Sequence, residues 1–205
     1  MRNLPVVARG SEFVMGQSLE DVAKFVGVKT GHKRLPPPEI LHKWVLALRA
    51  AQRHLRQFPQ SRINESAVEN RHRPIRILGQ HVFYIADAYL KAVNEKIEYS
   101  PSNTNVPAAD EQKYKSGDEI ARYGDEVIAR LNAWWDASKN ISFAQTVPTA
   151  YGTQELHEVF ERSTWHSAQH VRQLADVLDR FGIAPEGRLT AEDLKGLPLP
   201  ERIWE

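Results

Sequence analysis

The sequence predicts an all-α protein, a four-helix bundle with a small N-terminal β-hairpin and helix attached. Three observations predict it. Four segments of about twenty residues carry apolar side chains three and four apart, the period of an amphipathic helix. Prolines and glycines punctuate their ends. No strand-like run stands out between them, so the four stripes must bury against one another.

Residues 1–34 read as the appendage, and residues 35–205 as the bundle and its tail. Leu4-Pro5-Val6-Val7-Ala8 is a short β-prone run, Arg9-Gly10-Ser11-Glu12 a turn, and Phe13-Val14-Met15 a second strand. Ser18 is placed to cap a helix over Leu19–Val26, where Asp21 suits the helix dipole and Gly27 ends the helix. A unit of this size cannot fold alone. Gly31 to Pro38, closing on Pro36-Pro37-Pro38, is a stiff linker and a helix start signal.

The first long helix is expected from Glu39 to about Phe58, with Ile40, Leu41, Trp44, Val45, Leu48, Ala51, Leu55 and Phe58 as its stripe and Pro59 as its stop. Residues 59–73 are polar. The second helix is expected from Pro74 to about Ile97, with His81 inside the stripe of Ile77, Leu78, Ile85, Ala88 and Tyr89. Residues 100–116 form a long irregular connection, enough for the next helix to cross over and run parallel to its predecessor. The third helix, about Gly117 to Ala137, shows Ile120, Tyr123, Val127, Ile128, Leu131, Trp134 and Trp135. Residues 138–151 read as another irregular link. The fourth helix, roughly Thr153 to Phe181, has a seam of Leu156, Phe160, Ser163, Ser167, His170, Leu174, Val177 and Phe181, and Gly182 and Pro185 end it. The tail is expected to pack across the bundle through Leu189, Leu194, Leu197, Leu199, Ile203 and Trp204.

A chain of 205 residues, 41% hydrophobic and 26% charged, can bury a full core. Its net charge of +1 argues against a partner that is a polyanion such as nucleic acid. The basic run Arg71-His72-Arg73, with Arg76 following, reads as a solvated helix start. No apolar run approaches a membrane span and no secretory leader is evident, so the cytoplasm is the expected location. The absence of cysteine excludes disulfides, thiolate metal sites and a cysteine nucleophile.

The chemistry lies in the histidines. His166 and His170 are four residues apart, so both imidazoles share one helix face. With His81 in the core stripe of another helix, three neutral imidazoles could hold one divalent transition metal and leave positions open for water or substrate. Burying three such rings with nothing to bind would be costly. His32, His42, His54 and His72 fall in linkers or on polar-looking faces. His157, nine residues before His166, is half a turn out of phase and is expected on the surface.

The run Trp165-His166-Ser167-Ala168-Gln169-His170-Val171-Arg172-Gln173-Leu174 resembles the last-helix signature of the DinB-like (DinB/YfiT) superfamily, HxxxH followed closely by an Arg-Gln-type pair. Arg73-Pro74-Ile75-Arg76-Ile77-Leu78-Gly79-Gln80-His81 is similar to the stretch that precedes the family's remaining ligand on the second helix. The likeness spans about residues 37–182. It implies an up-down-down-up bundle, often a homodimer. It implies a metal on His81, His166 and His170, zinc first with nickel or iron as alternatives. It implies a thiol-dependent transferase or isomerase acting on small electrophiles with an external low-molecular-weight thiol. A non-catalytic metal-binding, stress-related dimer and a metal-assisted hydrolase are the alternatives. Arg172 and Gln173 are candidates to support a ligand or hold a substrate carboxylate, with an exposed helix face as the other reading. Tyr84, one turn past His81, is placed to donate a hydrogen bond near the site. No residue stands out as a general base.

The appendage carries a weaker likeness. Asn3-Leu4-Pro5-Val6-Val7, then Phe13-Val14-Met15-Gly16 and a short helix, resemble the last third of a glutaredoxin without its cysteine motif. A generic hairpin arm is the alternative.

Overall fold

The computed structural model describes residues 6–16, 19–29, 31, 33–68 and 71–204. Strands β1 (Val6–Arg9) and β2 (Glu12–Met15) form an antiparallel hairpin, and helix α1 (Leu19–Val26) packs on β2. Leu4, Pro5 and the expected cap Ser18 lie outside the described residues. Gly27, at φ 76°, makes the left-handed turn that ends α1.

Four long helices follow: α2 (Pro37–Gln57), α3 (Ile75–Asn94), α5 (Gly117–Ala137) and α6 (Leu156–Arg180), with a short α4 (Pro101–Thr104) on the crossover. The prolines supply the start of α2, since N-terminal turns need no N–H there. The third helix matches its expected limits. Its cap is Ser116, whose hydroxyl accepts from Glu119 N at 3.2 Å. Gly117 opens α5 directly against α2, and a Cβ there would run into the Leu55 carbonyl oxygen.

The side-chain contacts fix the direction of each helix. The end of α2 meets the end of α6 through Phe58 and Phe181, ring centroids 5.9 Å apart. Early Trp44 of α2 meets early Phe160 of α6 at 5.6 Å, and late Tyr89 of α3 at 5.3 Å. Late Trp134 of α5 meets the same Tyr89 at 5.1 Å. So α2 and α6 run one way and α3 and α5 the other, an up-down-down-up bundle. α2 and α3 each pack on both α5 and α6 and lie diagonally across the core. Trp44, Tyr89, Phe160 and Trp134 fill one end of that core with edge-on and stacked rings.

The links between helices differ from expectation. Residues 59–73 are not simply polar coil: β3 (Ser66–Val68) and β4 (Arg71–Pro74) pair as an irregular hairpin that runs straight into α3. Residues 138–151 hold β5 (Thr146–Thr149), which pairs with β6 (Gly152–Glu155). Ladder bonds from Thr153–Glu155 to β5 delay the start of α6 to Leu156. Each strand is only three or four residues long, too short for a periodic signal. The second helix stops at Asn94, because Lys96 adopts φ 56°. Arg76 is not on a solvated helix start either. It is buried and donates to Asn64 Oδ1 at 2.6 Å and to the Glu111 carbonyl.

The tail crosses the bundle as expected, with Leu197 buried and Leu189, Leu194, Leu199 and Trp204 packed on the core. A short helix, α7 (Ala191–Leu194), is held by a capping box between Thr190 and Asp193. Lys43, Arg53 and Gln57 of α2 donate to tail carbonyls. This covers a face of α2 that looks polar in the sequence, and His54 is therefore fully buried rather than on a wet surface. Among the described residues, no helix is long and apolar enough to cross a membrane.

Candidate metal centre

His81 lies in the second turn of α3, and His166 and His170 in the middle of α6. The packing of α3 on α6 brings the three rings together. Ring centroids are 5.2 Å (His81–His166), 4.7 Å (His81–His170) and 4.8 Å (His166–His170) apart. One ring nitrogen of each lies within 4.8 Å of one of the others'. His81 and His170 are buried and His166 is half-buried. Among the described residues no Asp or Glu joins the group, so the ligand set is uncharged.

Hydrogen bonds fix which nitrogens are available. His81 Nδ1 is 2.7 Å from the carbonyl of Thr104, which can only accept, so Nδ1 carries the proton and Nε2 keeps its lone pair. Thr104 comes from α4, so the crossover between α3 and α5 orients this ring. His170 Nδ1 is 2.7 Å from Gln173 Oε1. Gln173 turns its Nε2 to the Ile203 carbonyl at 2.9 Å, which fixes the amide's orientation and makes its oxygen the acceptor. His170 Nε2 is then buried with no protein partner. A buried lone pair with nothing to accept is what a metal ligand leaves behind, and burying one otherwise is costly. The residues present fit a divalent transition metal.

The electrostatics agree. Burial first, then Arg73 and Arg162, lower the pKa of His166 from 6.5 to about 4. Burial, then the neighbouring imidazoles and Arg73, hold His81 and His170 well below the usual value. All three rings are neutral at neutral pH, the form that coordinates a metal.

Gln173 therefore touches a ligand, and the other two candidates are committed elsewhere. Arg172, two residues from His170 and on a different face, donates to Gln169 Oε1 and to the carbonyls of Pro200 and Glu201. Tyr84 donates to Asp110 Oδ2 at 2.5 Å, and burial and that carboxylate raise its pKa. His42 is exposed, while His32 and the side chain of His72 lie outside the described residues. His157 points away from the site as its phase requires, but it is buried rather than on the surface. Its Nε2 bonds to the Leu35 carbonyl at 2.9 Å, because the linker before α2 lies over it.

A cavity of about 200 Å³ abuts His166, lined by Tyr99, Ser100, Tyr151, Arg162 and Trp165 among others. Arg162 was legible in principle, since it stands four residues before His166 on the same face. Thr104, Tyr99 and Tyr151 come from links and carry no spacing signal.

In a comparison of folds, YfiT from Bacillus subtilis, described as "a probable metal-dependent hydrolase with an unusual four-helix bundle topology", superposes with a TM-score of 0.56. The match covers 76% of this chain and 95% of that one, at 13% sequence identity. The chain has a YfiT-like fold. No family model and no curated protein matches the sequence. The likeness to YfiT therefore rests on the path of the backbone. In this YfiT-like bundle the three histidines sit where α3 and α6 face each other.

Proposed function

We propose that the protein is a metal-dependent enzyme in which His81, His166 and His170 hold a divalent metal and a small external nucleophile completes the site. One observation carries this reading: three neutral imidazoles converge, and the Nε2 of His170 is buried without a partner. A metal bound here would supply Lewis acidity, lowering the pKa of a coordinated water or thiol. Thr104 and Gln173 hold two of the rings in the tautomer that presents Nε2. The three imidazoles would add no charge, so a metal held by them would keep its net positive charge, which favours deprotonation of what it binds.

Hydrolysis with water as the nucleophile is the first reading, in line with what is said of YfiT. Transfer from an external thiol is the second. The chain has no cysteine, so a thiol at the site would have to arrive from outside. Zinc is the proposed metal, since tetrahedral histidine sites with an open position suit it.

Elemental analysis of purified protein tests the premise. The wild type should carry close to one equivalent of metal, and His166→Ala and His170→Ala should carry almost none. Equal, negligible metal in wild type and variants would overturn the reading. Turnover of a panel of esters, amides and electrophiles, each with and without added thiol, then separates hydrolysis from transfer. No turnover in either arm by metal-loaded protein would leave a purely metal-binding role.

A further inference from the structure

Arg162, His166 and His170 stand four residues apart along α6 and so share one face. Arg162 is 6% exposed, and it lines the cavity that abuts His166. Its Nη1 donates to Gln154 Oε1 at 2.7 Å. This bond orients the guanidinium fork. The guanidinium lies 5.6 Å from the centre of the Tyr151 ring. Tyr99, Tyr151 and Trp165 give the cavity flat, largely apolar walls. Burial lowers the Arg162 pKa, as expected for a cation taken out of water.

Glu158 acts on Arg162 and is itself held by Arg34 at 3.4 Å. The metal would be held by uncharged ligands, with Arg73 acting on all three rings and Arg162 on His166. A divalent ion on uncharged ligands beside these two arginines would favour an anion. The planar fork of an arginine matches a planar carboxylate, which it can grip with two parallel hydrogen bonds. A cavity of about 200 Å³ limits the molecule to a small one.

We propose that this cavity is the substrate pocket and that it selects small planar organic carboxylates, the carboxylate on Arg162 and the reacting group toward His166. This names the substrate class of the site described above and rests on that reading for the reaction. Anion binding by Arg162 needs no metal.

Benzoate and its neutral isostere benzamide probe the pocket, titrated into metal-free and zinc-loaded full-length protein. The readout is the indole N–H signal of Trp165, assigned with Trp165→Phe. Benzoate should shift that signal in both forms, and benzamide should bind at least about tenfold more weakly, the scale of a lost charged hydrogen bond. Arg162→Gln should lose about the same factor for benzoate and nothing for benzamide, and Arg162→Lys should restore part of it. Equal binding of the two probes by the wild type overturns the proposal without any variant. So does a natively folded Arg162→Gln protein that keeps wild-type benzoate affinity, or tighter binding of phenyl phosphate than of benzoate. If benzoate binds as expected while the protein retains no zinc, the pocket stands and the metal-dependent reading falls.

Discussion

His170 donates its Nδ1 proton to Gln173 at 2.7 Å, and Gln173 in turn donates to the carbonyl of Ile203 in the C-terminal tail. The tail is thus wired to a metal ligand. Arg172 and Gln169 fasten the same segment through the carbonyls of Pro200, Glu201, Arg202 and Ile203. The tail covers α6 and also determines which nitrogen of His170 faces the site.

Gln173→Ala should weaken metal binding by about 10–100-fold while leaving the helical content unchanged, since partners of ligating imidazoles act on that scale. Removal of residues 200–205 should have a similar effect. Competition with a chromogenic chelator reads the affinity. A variant with wild-type affinity would show that the Gln173 contact is incidental.

Zinc should stabilise the fold. At a hundredfold excess over the dissociation constant, a ligand bound only by the folded state adds about 2.7 kcal/mol. For a chain of this size that is a rise in Tm of roughly 5–10 °C. His81→Ala should melt at the same temperature with and without zinc. A scan by differential scanning calorimetry checks both.

His54 gives the fold a pH dependence outside the metal site. Burial, then the charges of Arg53 and Arg188, lower its pKa from 6.5 to about 4. In the unfolded chain the ring gains a proton near its ordinary value, while the folded protein refuses it until about pH 4. Stability is therefore full above about pH 7 and falls as the pH drops through this window, by about 3 kcal/mol for this group. His54→Leu, with its apolar side chain, should make the curve of urea stability against pH shallower between pH 7 and pH 4, the remaining slope coming from the three buried histidines of the site. An unchanged slope would mean that His54 is not the group responsible.

Gly117→Ala tests the junction of α2 and α5. The added Cβ meets the Leu55 carbonyl oxygen, a backbone atom that cannot rotate away. Overpacking of this kind costs about 1–3 kcal/mol. Ser116→Ala removes only the cap and should cost about 1 kcal/mol. Chemical denaturation of the two variants should rank them in that order.

Much of the bundle was legible because a helix writes its own period. The stripe Ile120, Val127, Ile128, Leu131 and Trp134 is buried as its spacing requires, and α5 has the limits its flanking residues indicate. The links were not. Val147 and Gln154 face inward from strands of four residues, a length at which alternation cannot be told from chance. His54 and His157 looked exposed because each sits on a face that is polar along its own helix. Segments far away in the chain cover them, the tail over one and Leu35 over the other.

The sequence by itself determined four amphipathic helices, the absence of any thiol, and a pair of imidazoles on one face of α6. Each of these depends on neighbours within a few residues. Only the tertiary structure decided that His81, which the sequence offered as the third candidate, meets that pair, that Thr104 and Gln173 set the available nitrogens, and that Arg162 borders a cavity beside His166. The physical reason is range. Periodicity fixes which way a side chain points from its own helix, and packing across the bundle fixes what it points at.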